Sequence, residues 1–257
     1  AVGKSALAAN TTGTSNTAVG ASAGAAITIG QGNSILGYLA ADATTTGGDN
    51  TAMGYKALTT NTTGSYNTAV GKDALENATT ASNNTAVGFK SLEANTTGAS
   101  NTAVGSSALA AHTTANYCSA FGADSLQNNT TGAANTGIGQ GALNANTTAS
   151  NNTAVGYSAL NANTTASDNT SVGAGSMDAT TTGSYNSAVG SEALGANTTG
   201  ASNVAVGVSS LAANTTASNN TAVGKNTLLA NTTGATLVAV GSGALASNTT
   251  ASSNVAM

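Results

Sequence analysis

The sequence predicts an all-β chain folded as a parallel β-solenoid, or β-roll, of fifteen 17-residue coils. Three observations lead there. The first is a ruler: NTAVG recurs from Asn16, Asn67, Asn84, Asn101, Asn152 and Asn220, and its glycine falls every 17 residues without insertion or deletion. The second is chemistry held in columns. Counting each glycine as position 0, Thr occupies +8 in all 15 repeats, Asn occupies −4 in all but two (Cys118, Leu237), and Leu occupies +4 in 12 of 15. The third is where charge is allowed. All 14 charged residues lie at +1, +2, +5 or +12, as do all six Tyr. Charged side chains are almost never fully buried unless paired, so these columns face water and the others are restricted.

A column kept through 15 repeats stacks on itself in space. Seventeen residues are too few for two useful helices and their turns, and Ala, Asn, Thr and Gly at these densities make no 3.6-residue apolar stripe. Stacked strands fit, with coils about 4.8 Å apart and fifteen of them spanning roughly 70 Å.

The elements of one coil follow in order. The repeat glycine marks a corner, where a small residue or a positive φ is useful; the corner residues are Gly3, Gly20, Gly37, Gly54, Gly71, Gly88, Gly105, Gly122, Gly139, Gly156, Gly173, Gly190, Gly207, Gly224 and Gly241. A short strand is expected near +3 to +5 and another near +7 to +9. Gly or Ala at +10 marks a further corner. The clearest strand is −4 to −1.

Two apolar columns define the expected core. Position −1 contributes Val19, Leu36, Val70, Val87, Val104 and Phe121, and +4 contributes Leu75, Leu92, Leu109 and Leu126. The coil after Gly20 is a natural substitution experiment: Gly24 replaces the +4 Leu, while Ile27 and Ile29 appear at +7 and +9. Volume lost at one column returning at two others places both isoleucines inside, and +8 then points outward. In the strand, −3 and −1 share one face and −4 and −2 the other. Neither face ever carries a charge. A strand restricted on both faces is covered on both, so one face is expected in the coil's own interior and the other against a second copy of the chain.

Composition narrows the function classes. Charged residues make up 5% of the chain, there is no Arg, and the net charge is −4, so a nucleic-acid partner is not expected. No apolar run of about 18 residues occurs, so neither is membrane insertion by a helix. One histidine, His112 in the Asn-rich +7 column, and one cysteine, Cys118, give neither a metal-ligand set nor a disulfide framework. The scattered acids do not form a calcium-binding β-roll pattern. No catalytic, cofactor or metal site is therefore expected, and the chain does not read as an enzyme. The NTT of Asn10, Asn61 and Asn95 is formally a glycosylation acceptor, but an inward +7 closes it. Tyr38, Tyr55, Phe89 and Tyr157 at +1 read as single, widely spaced aromatics. The Thr column at +8 suggests an ice-binding face as the alternative function, one column short if +9 points inward.

With the columns assigned, Asn203-Val204-Ala205-Val206-Gly207 resembles the core motif of YadA-like head repeats in trimeric autotransporter adhesins, and the NTAVG-xx-AL-xx-NTTG form is similar to repeats of phage tail-fibre and other surface-fibre proteins. The resemblance covers residues 1–257, read as one repetitive segment of a longer fibre protein. It implies a left-handed roll, three chains side by side, and a place outside the cell or on a virion. It also implies a shaft that extends and presents terminal domains, with any cell-surface receptor met by regions outside this segment.

Overall fold

The computed structural model describes all 257 residues. The chain is a parallel β-solenoid with one short strand per coil and no helix. It forms two compact units, residues 1–131 and 132–257. The first contains strands β1 (Thr17–Val19) to β7 (Ser119–Phe121), the second β8 (Thr136–Ile138) to β15 (Val255–Ala256). Within each unit, strands pair parallel with the next in sequence and in the repeat's own register. Thr85 lies opposite Thr102 and Val87 opposite Val104 in the first unit; Val204 lies opposite Thr221 in the second.

The strand covers −3 to −1 only. The expected second and third strands are absent: +1 to +6 is a run of turns and +8 to +9 a bend. The reason is visible in the backbone. Positions +2, +4 and +12 are left-handed in coil after coil, as at Lys90 (φ 56°), Leu92 (φ 51°) and Ser100 (φ 59°). Residues in that region cannot extend a strand. Coils nevertheless stay hydrogen-bonded through these segments, in both directions. The Lys90 N–H donates back to the Lys72 carbonyl at 3.0 Å, and the Leu92 N–H donates forward to the Ala108 carbonyl at 3.0 Å. Non-strand backbone thus keeps its donors satisfied without a sheet.

The glycine at 0 is required twice over. Its φ lies near 130–145° in most coils, a region closed to side chains. A Cβ on Gly88 would also stand 2.5 Å from the Gly105 carbonyl oxygen of the next coil.

The interior is set by a change of period. From +4 round to −4 every third residue is buried, at +4, +7, +10 and −4; −2 then follows in the strand's own alternation, and +3 closes the space. Leu75, Leu92, Leu109 and Leu126 are fully buried, as the +4 column predicts. The −1 side chains are not core in this chain. Val19 is 38% exposed, Leu36 50% and Phe121 41%, and Val70, Val87 and Val104 are half-buried. The strand instead turns −4 and −2, Asn and Ala, inward.

The coil after Gly20 corrects the same expectation. Ile27 is fully buried, but Ile29 is 57% exposed. The missing leucine's space is filled by Ile27 and Ile35: a Cβ on Gly24 would meet their Cδ1 atoms at 2.9 and 2.8 Å. Because the bend advances three residues per inward position, +7 and +10 point in and +9 points out.

Two asparagine ladders line this interior. At −4, each Asn accepts the backbone N–H of the next −4 residue and donates to a +10 carbonyl. Asn84 Oδ1 accepts from Asn101 N at 2.9 Å, and Asn84 Nδ2 donates to the Gly98 carbonyl at 2.9 Å. At +7, Asn Nδ2 donates to the +10 carbonyl of its own coil, as from Asn95 to Gly98 at 3.0 Å. It also reaches the preceding ladder member where that is Asn, as from Asn163 to Asn146 at 2.8 Å. Two buried side-chain oxygens lack a partner, Asn10 Oδ1 and Asn163 Oδ1. Each precedes a coil whose +7 residue carries no amide, Ile27 and Thr180.

Candidate interaction surfaces

Three outward features stand on this scaffold. The first is the −3/−1 face of the strand. It carries Thr or Val at −3 in most coils and an apolar residue at −1 in every coil, with no charge in either column. The strand face rejected by the interior is the more hydrophobic of the two. An exposed apolar face of this kind is a candidate for contact with a partner.

The second is a ridge at +1 and +2 in the first unit. Tyr38, Tyr55, Lys72 and Phe89 occupy +1 in four consecutive coils. Tyr38 and Tyr55 stack at 5.7 Å between centroids and 26° between planes. Lys72 Nζ lies 5.6 Å from the Tyr55 centroid and 5.3 Å from that of Phe89, so one ammonium serves two rings. Lys56 and Lys90 extend the series beside Tyr55 and Phe89. Each lysine also has a carboxylate partner: Glu76 at 3.1 Å for Lys56, Asp73 at 3.0 Å for Lys72, and Glu93 at 2.9 Å for Lys90. Hydrogen bonding to Glu76 and to Glu93 holds the Lys56 and Lys90 ammonium groups above their ordinary pKa. Contrary to the expectation of single, widely spaced aromatics, three of the four are neighbours. Seventeen residues apart means one coil apart, and Tyr38, Tyr55 and Phe89 form one ladder with Lys72. Tyr157 stands apart, in the second unit.

The third feature is the threonine bend. Position +9, Thr in every coil except at Ile29, is exposed throughout, beside a +8 column that is mostly half-buried. The +8 hydroxyl is committed along the stack, as in the 3.1 Å bond from Thr96 Oγ1 to the Thr113 carbonyl. Both columns reach the surface, so the face expected to be one column short has two.

His112 and Cys118 are both buried in the first unit. His112 Nε2 donates to the Ala115 carbonyl at 2.8 Å, which leaves Nδ1 as the acceptor for Asn129 Nδ2 at 3.1 Å. The same Asn129 amide lies 3.8 Å from Cys118 Sγ. Burial lowers the imidazole's pKa, which keeps the ring neutral. The histidine occupies an asparagine's place and makes an asparagine's bond to the +10 carbonyl. Desolvation raises the carboxyl pKa of Asp42 and Asp178. No group of three or more His, Cys, Asp or Glu is placed to hold a metal ion, and no helix is long and apolar enough to cross a membrane.

No family model matches the chain, and no curated protein does.

Proposed function

We propose that this chain is a structural shaft of an extracellular or virion-associated fibre, self-associated through the −3/−1 strand face, which extends and presents domains beyond it. The observation that carries this reading is the uncharged, apolar outer face repeated in every coil. A load-bearing or spacing element is served by identical interfaces, because each added coil adds the same increment. The resemblance to YadA-like and fibre repeats points the same way and suggests three chains. On this reading the chain has no catalytic role, and receptor contact belongs to other regions. Light scattering on the purified protein tests it: a multiple of the 24.2 kDa chain mass is expected, and a monomer at high micromolar concentration removes the lateral interface.

A second reading rests on the threonine bend. Two adjacent outward Thr columns repeating at the coil spacing offer a regular hydroxyl and methyl surface of the kind that orders water. Ice binding then requires that the protein inhibit ice recrystallisation, and that Thr97→Tyr and Thr165→Tyr, at exposed +9 positions in the two units, abolish the inhibition without unfolding.

A further inference from the structure

Asn-x-Thr is the minimal acceptor for N-glycosylation, and this chain carries it in more than one frame of the repeat. The common frame begins at +7. There the acceptor amide is inside: Asn61, Asn95, Asn146, Asn197 and Asn231 are fully buried, each donating to a +10 carbonyl. Another frame begins at +12. Asn83-Asn84-Thr85, Asn151-Asn152-Thr153 and Asn219-Asn220-Thr221 lie four repeats apart, each within TTASNNTAVG.

In the +12 frame the coil geometry reverses the outcome. The first Asn is exposed, the second is the buried −4 ladder member, and the Thr belongs to the outward strand face. The two side chains that an acceptor site needs therefore face solvent together, with the middle residue anchored in the core. The first Asn is held in the left-handed region, φ 61° at Asn83 and Asn151 and 62° at Asn219, which Asn tolerates better than most residues. Its backbone N–H is fixed to the preceding coil at 3.1 Å in all three, on the carbonyls of Ser65, Ala133 and Ala201. A fixed backbone and an amide at the exposed surface make a presented site. The Asn151 amide additionally donates to Asp168 Oδ1 at 3.2 Å on the open surface.

We propose that Asn83, Asn151 and Asn219 are N-glycan acceptor sites of the folded solenoid, with a nucleoside-diphosphate sugar as donor class. Asparagine Nδ2 forms a bond to the sugar's anomeric carbon. The bond from that carbon to the diphosphate oxygen breaks, and the nucleoside diphosphate leaves with the electron pair. The amide proton passes to a base. Folding itself chooses between the two frames, because it withdraws the +7 acceptors of the interior coils and leaves the +12 acceptors exposed. The proposal concerns the single chain: Thr85, Thr153 and Thr221 lie on the −3/−1 face, so on the fibre reading these sites are open to a transferase before copies associate.

The test uses the folded full-length chain, a soluble Asn-x-Thr glucosyltransferase and UDP-glucose, with intact mass and peptide mapping as readout. Peptides spanning 79–88 and 92–100 serve as unfolded acceptors and fix the enzyme's competence on both frames. The expected result is one hexose at each of Asn83, Asn151 and Asn219, loss of only its own hexose in Asn83→Gln, and no sugar at the fully buried Asn61, Asn95, Asn146, Asn197 and Asn231 of the folded chain, although both peptides are modified. Modification of Asn95 or Asn146 in the folded chain overturns the proposal. So does a folded chain unmodified at the +12 positions, or modified only at the exposed +6 acceptors Asn77 and Asn128.

Discussion

Asn84 and Val87 lie three residues apart, and the strand sends them in opposite directions. The polar residue is fully buried and the aliphatic one is half out in solvent. Hydrophobicity alone would reverse the two. What decides is stoichiometry. The −4 side chain meets a backbone N–H from one direction and a +10 carbonyl from another, and an Asn amide satisfies both at once. A valine there leaves two buried polar groups without partners, about 1–3 kcal/mol each. Small Ala at −2 completes the inner face by letting the strand approach the +4 Leu. Val87 is then outside because the inner face has no place for it.

The sharpest way to break this comparison is to remove one interior member of each kind. Leu92→Ala deletes a fully buried side chain from a column continuous on both sides, and a loss of about 2–5 kcal/mol is expected. Asn84→Ala removes the acceptor of Asn101 N–H and the donor to the Gly98 carbonyl, for about 1–3 kcal/mol per stranded group. Asn84→Leu restores volume and not the acceptor, so it is expected to remain destabilised. Urea denaturation midpoints distinguish these. A wild-type midpoint for Asn84→Leu would show that the ladder contributes only its volume.

How much of this was readable in advance follows from the same two residues. The period, the parallel stacking, the wet +1 and +12 columns and the +4 Leu core are legible, because a repeat makes each column its own control; the charged +2 and +5 columns are mostly half-buried, and Asp73, paired with Lys72, is buried. The corner glycines are legible for the same reason. The direction of the strand is not, because hydrophobicity favours the Val at −1 for the interior, whereas hydrogen-bond stoichiometry puts the Asn at −4 there. Ile29 departs from its expected inward position for a different reason. Alternation by two belongs to the strand; through the +7 to +10 bend the inward positions are three apart, so +9 faces out. The Tyr38–Phe89 ladder is legible too, since residues of one column 17 apart are neighbours. Nothing in Asn83 announced an exposed acceptor until the neighbouring Asn84 was known to point inward.

A gentler perturbation acts on the one ladder position filled by a titratable ring. His112 faces the Ala115 carbonyl, the Asn129 amide and, across that amide, Cys118. A proton on Nδ1 would oppose the Asn129 Nδ2 donor directly. Burial depresses the folded-state pKa below the unfolded value of 6.5. Between the folded pKa and 6.5 the unfolded chain therefore binds more protons, and stability rises with pH there. The contribution is complete above the unfolded value and is lost as pH falls through the folded one, with a limiting slope of about 1.4 kcal/mol per pH unit. His112→Asn, which restores the column's usual residue, is expected to flatten that slope. An unchanged slope in the variant would assign the acid sensitivity to carboxylates.

The smallest effect on folding belongs to the outer face, where, on the proposed fibre reading, the effect on assembly is expected to be large. Val87→Lys places a charge in a column that carries none in any coil, on a side chain already half exposed. The single chain has water to receive that ammonium, so a change within about 0.5 kcal/mol is expected in its own stability. An assembled chain has no such refuge, because an unpaired charge pressed against a second apolar face loses its hydration without compensation. Sedimentation or light scattering should then show the mass falling to that of one chain while the folded signal persists. Val87→Thr, neutral and close in shape, should retain more of the assembly. If Val87→Lys leaves the mass unchanged, the outer face is not the contact between copies. If it unfolds the chain instead, the strand's two faces depend on each other more than the coil geometry implies, and the division between a hydrogen-bonded interior and an adhesive exterior fails at its clearest position.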